Sequence, residues 1–134
     1  MRRNVLCRFG IVLLLCSPAM RVVAHHSFSA EYDEKKPIAM TGTVTKLDWA
    51  NPHTWFYIDV KDDGGKVANW GMELASPNLL LRQGWTRSTL KVGDVVAVEG
   101  YGAKNGKNIG NARVVVLTAT GQRLVAGSSI GAKP

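Results

Sequence analysis

The sequence predicts a mostly β domain, a small five-stranded barrel with one short helix between its third and fourth strands. Three observations predict it. After residue 37 the chain falls into runs that alternate apolar and polar positions with a period of two, the spacing of a half-buried strand. That period breaks once, at residues 76–84, where Ser76-Pro77 opens and Gly84 closes a short helical stretch. No cysteine occurs after residue 16, so no disulfide or thiolate metal site can stand in for a packed core.

The elements follow in order. Residues 25–37 (HHSFSAEYDEKKP) are polar and without period, and are expected to form an N-terminal arm leading into the fold. In the first strand Met40, Gly42, Val44 and Lys46 share one face, and Thr41, Thr43 and Thr45 the other. The run ends at Asn51-Pro52, a turn-forming pair. A second strand over residues 53–61 sets Thr54, Phe56, Ile58 and Val60 against Trp55, Tyr57 and Asp59. Asp62-Asp63-Gly64-Gly65 is a hairpin turn, because aspartate and glycine accept a positive φ at low cost. The third strand, residues 66–74, places Ala68, Trp70, Met72 and Leu74 on one face.

Ser76 then caps a helix with Pro77 in its first turn. The helix covers residues 78–83, with Leu79 and Leu80 inward and Trp85 tucked back on the core. A turn at residues 90–94 feeds a fourth strand over 95–101, in which Val96 and Val98 alternate with Val95, Ala97 and Glu99. Another turn at 104–107 leads to a fifth strand over 109–118 and an edge piece at Leu124-Val125. Three strands, a helix and two strands is the element order of an OB-fold, which closes into a barrel and hides its strand edges. An open α+β sheet or a small sandwich is the rival arrangement. The domain is expected over residues 38–126, with a small, polar, disordered tail at 127–134.

The first 24 residues have the pattern of a signal peptide. Arg2, Arg3 and Arg8 precede a short apolar run centred on IVLLLC, and small residues offer cleavage after Ala19 or Ala24. The apolar run is shorter than the roughly 20 residues of a spanning helix, so no retained anchor is expected. Leu15 is too large for a good lipidation site at Cys16. The expected location is therefore the periplasm or the outside of the cell, after cleavage at Ala24. Cleavage also changes the charge. Four of the 17 basic residues precede Ala24, leaving 13 against ten acidic, a net of +3 instead of +7. That modest surplus, with export, argues against nucleic acid as a partner. The 110 residues after Ala24 suffice for one core and not for two.

An ordered set of short motifs spans residues 25–125: His25-His26-Ser27-Phe28, Gly42-Thr43-Val44, Asn51-Pro52-His53, Trp70 with Glu73, Ser76-Pro77, Gly84-Trp85 and Leu90-Lys91-Val92-Gly93-Asp94. In these the chain resembles the domain of unknown function 6152 family, small exported bacterial proteins with an NPH motif. The resemblance implies export, a β-barrel-like domain and a mature chain opening on the double histidine. It brings no catalytic residue.

The three histidines are the residues most able to carry chemistry. After cleavage at Ala24, the α-amine and imidazole of His25 can chelate one metal ion, and His26 or His53 can complete a nitrogen-rich set. Such a set suits Cu(II). The plainer reading leaves His25 and His26 exposed and inert and lets His53 serve its turn. Met40 and Met72 with Trp49 or Trp70 raise a thioether Cu(I) variant, but Met72 alternates in phase with the core face. A second class of site is a ligand or partner surface formed by Asn51, Pro52, Trp55 and Tyr57, where an aromatic pair would contact a glycan or protein. Enzyme motifs such as GxSxG, a P-loop or HExxH are absent from the sequence. An acid–base pair could be drawn from Glu31, Asp48, Glu73 and His53, yet no spacing selects one. The expectation is thus a non-enzymatic binding module, with copper as the most concrete ligand.

Overall fold

The computed structural model describes residues 28–127. The expected signal segment with its expected cleavage sites, His25, His26, and the residues from 128 on lie outside the described residues.

A one-turn helix α1 (Phe28–Glu31) leads directly into a long strand β1 (Tyr32–Asp48). Strands β2 (Trp55–Lys61) and β3 (Val67–Glu73) follow, then helix α2 (Pro77–Arg82), and finally β4 (Val95–Ala103), β5 (Ile109–Leu117) and β6 (Arg123–Val125). The sheet order is β3-β2-β1-β4-β5-β6, and β3 also pairs with β5. That last pairing is parallel, through Gly71–Glu73 and Ile109–Asn111, and it closes the ring. All other pairings are antiparallel. With α2 between β3 and β4, this is the OB-fold connectivity expected from the element order. Among the described residues no helix is long and apolar enough to cross a membrane.

One core fills the barrel. Val44, Phe56, Ile58, Met72, Val96, Val98 and Val115 line its interior, and Leu74, Leu80, Trp85 and Leu124 extend it under α2. Ser76 caps α2 by accepting from the Leu79 amide, and Gly84, at φ 90°, ends the turn in a left-handed conformation that favours glycine. Trp85 tucks back as expected: it is buried, and its indole N–H donates to the Val125 carbonyl at 2.6 Å. Met72 is fully buried and Met40 packs against the core, so both methionines of the thioether idea are packing residues.

Two details differ from the sequence reading. The first strand begins at Tyr32, six residues before the expected start. Residues 28–37 are not merely an arm, because Tyr32 pairs with Ala103 and is buried. A single large ring in a polar stretch anchors it without producing any period. The second difference is a bulge in β1. Val44 pairs with Ile58 and Lys46 with Tyr57, so Thr45 is the extra residue. The alternation therefore shifts by one. Lys46 lies on the outer side with its ammonium 5.3 Å from the Tyr57 ring centre, and Leu47 takes the inward place.

Candidate functional site

The site lies on the outer face of the barrel, where β2, β3 and β5 run side by side. Register fixes which side chains share that face. Trp55 pairs with Glu73, and Glu73 pairs with Asn111 across the parallel join. Their sequence neighbours Phe56, Met72 and Ala112 are fully buried in the core, so Trp55, Glu73 and Asn111 point the other way. An outward Glu should be solvated, yet Glu73 is only 5% exposed. The cause is the N-terminal segment. Tyr32 lies over this face, its ring stacked on Phe28 at 5.6 Å, and Phe28 meets Tyr101 edge-on at 5.6 Å.

The buried carboxylate is shared. The Tyr32 hydroxyl donates to one oxygen of Glu73, and Nδ1 of His53 bonds the other. The turn that delivers His53 contains a cis Asn51-Pro52 bond, and Asn51 and Pro52 themselves are exposed. Beyond His53 the chain is pinned at once: Thr54 donates its backbone N–H to the Ala75 carbonyl at 3.1 Å and accepts from the Leu74 amide at 2.8 Å. Burial first, then the hydrogen bond to Glu73 and its negative charge, push the Tyr32 phenol far above its ordinary pKa, so it stays a proton donor.

His53 is half-buried, with 31% of its side chain exposed. Among the described residues its Nε2 has no hydrogen-bond partner, and no hydroxyl nucleophile is bonded to the ring. A carboxylate on Nδ1 fixes the tautomer that leaves the Nε2 lone pair for a ligand. Among the described residues, the buried oxygens with no hydrogen-bond partner include Oγ1 of Thr54, next to His53 in the chain, and Oδ1 of Asn111, the strand partner of Glu73.

Trp55 and Tyr57 are both half-buried on the same outer face. Gly71 lies between them on β3, where a Cβ would meet the Tyr57 ring at 3.3 Å and Trp55 at 3.7 Å. Its missing side chain lets the rings lie close to the sheet. Trp55 forms the wall between two clefts of about 320 and 350 Å³, one toward Tyr32 and Lys104 and one toward Tyr57 and Asn108.

Residues 13–112 of the chain match the model of the Family of unknown function (DUF6152), well over half its length. The chain belongs to the DUF6152 family. No curated protein matches it. The matched region of this DUF6152 member includes every residue of the site from Tyr32 to Asn111.

Of the residues singled out in the sequence, the structure brings Glu73 and His53 together and sets Trp55 beside them. Asp48 is engaged elsewhere, with Lys46 at 2.6 Å. His25 and His26 fall outside the described residues. Among the described residues no group of three or more His, Cys, Asp or Glu could hold a metal ion. The sequence reading missed Tyr32 and Asn111. The one available clue to Tyr32 was an aromatic ring within an otherwise polar stretch, and Asn111 had none.

Proposed function

We propose that this DUF6152 protein is an exported, non-enzymatic binding module of the periplasm, and that its ligand is Cu(II) held through His53 together with His25 and His26. The observation that carries the reading is the buried Glu73 on Nδ1 of His53. Imidazoles that ligate metals commonly donate their other ring nitrogen to a carboxylate, which orients the ring and raises its basicity. Chain length supports the rest of the set. Phe28 stacks on Tyr32, whose hydroxyl shares the Glu73 carboxylate with His53. His25 and His26 precede Phe28 by three and two residues, a span of at most about 10 Å of chain. After cleavage at Ala24 the His25 amine adds a further nitrogen donor, as tetragonal Cu(II) prefers.

Copper titration of the mature protein tests this. Loss of tight uptake in His53→Ala and in a chain extended by one residue before His25, with Trp55→Ala unaffected, is the expected pattern. Undiminished uptake in His53→Ala contradicts it. The paired clefts about Trp55 favour a second reading, a glycan or protein partner held by Trp55 and Tyr57. In that case Trp55→Ala abolishes partner binding and His53→Ala does not.

A further inference from the structure

A third cleft lies apart from the two beside Trp55. It is an open groove of about 780 Å³ on the outer face, crossing β1, β4, β5 and β6. Its floor is apolar, with Val114, Val125 and the Tyr101 ring among its lining, and Val125 is 41% exposed. Two arginines stand in it, Arg113 and Arg123, against one carboxylate, Glu99.

The fold puts these arginines there by two devices. Strand β5 is bulged: Glu99 pairs with Val114 and Gly100 with Ala112, so Arg113 is the unpaired residue, and a bulge re-aims the side chain it carries. Its guanidinium lies 5.5 Å from the centre of the Tyr101 ring. Arg123 comes from β6, which pairs with β5 through Val116, two residues from Val125 in the groove. Among the described residues neither arginine is within 4.0 Å of a carboxylate, so both forks are available to an anion.

We infer that this groove binds a small amphiphile with an anionic head, a carboxylate or phosphate monoester on an alkyl body. The head takes the paired N–H donors of Arg113 and Arg123, and the alkyl chain covers Val114, Val125 and Tyr101. The inference does not depend on copper or on His53.

Calorimetric titration of the mature protein with octanoate and octyl phosphate tests it, using octanol and inorganic phosphate as comparisons. Both acids should bind at one site. Octanol and inorganic phosphate should each bind about tenfold more weakly or not at all. Arg113→Gln with Arg123→Gln should weaken the acids by about tenfold, and Arg123→Glu, a change at an exposed edge position, should do so alone with an unchanged melting temperature. Octanol binding as tightly as the acids would show that the arginines contribute nothing. Inorganic phosphate binding as tightly as octyl phosphate would show the same of the apolar floor. Either result, or no uptake of any amphiphile, overturns the inference.

Discussion

At the scale of single residues, the shared carboxylate of Glu73 decides how the site behaves. Tyr32→Phe keeps the ring and removes the hydroxyl, leaving one oxygen of a buried carboxylate unpartnered. The expected loss is about 1–3 kcal/mol of unfolding free energy, measured by denaturant titration. The same phenol gives a pH dependence. Unfolded, it titrates at its ordinary value of 10.0; folded, it holds its proton to much higher pH. Above pH 10 the unfolded state therefore binds fewer protons than the folded one. Its contribution is complete below pH 10 and declines as pH rises beyond it. Wild-type stability should fall more steeply above pH 10 than that of Tyr32→Phe, and equal slopes would contradict the assignment. Glu73→Gln keeps the shape of the side chain and removes the charge that orients His53. It should weaken copper binding by about 10–100-fold while the protein stays folded, read by competition with a chelator and by far-ultraviolet circular dichroism.

At the scale of elements, most strands were legible because each has one buried face. Phe56, Ile58, Val96 and Val98 announce their strands by a period of two, and Ser76-Pro77 with Gly84 brackets the one helix. What the sequence hid were features that a period cannot record. The bulge at Thr45 shifts the alternation within β1, and the early start of β1 rests on one tyrosine. A second bulge, between β4 and β5, makes its own prediction. A Cβ at Gly100 would fall 2.0 Å from the backbone carbonyl oxygen of Asn111. Backbone cannot yield as a flexible side chain can, so Gly100→Ala should separate β4 from β5 locally. Native-state hydrogen exchange should show lost protection at Ala112 and Val115, or the protein should fail to fold; a variant with wild-type protection would refute that packing.

At the scale of the whole molecule, closure of the ring creates the site. Glu73 and Asn111 are 38 residues apart and become neighbours only because β3 and β5 run parallel. Glu73 and His53 meet only because β2 and β3 are paired in register, with Trp55 opposite Glu73. The sequence could name His53 as a candidate ligand and Glu73 as a motif residue, but not that the two are bonded. That relation belongs to topology. The same topology brings the start of the described chain, through Phe28 and Tyr32, to the carboxylate that holds His53. It is the physical basis for the proposal that a chain beginning at His25 and the NPH turn act as one metal-binding unit.

Native mass spectrometry of the protein purified from cells that express the full chain, before and after copper is added, tests that expectation most directly, since it reads the N-terminus and the bound metal together. The account predicts a chain that begins at His25 and retains one copper ion, and a His53→Ala chain with the same N-terminus that does not. A wild-type chain that begins elsewhere, or one that takes up copper no better than His53→Ala, would contradict it.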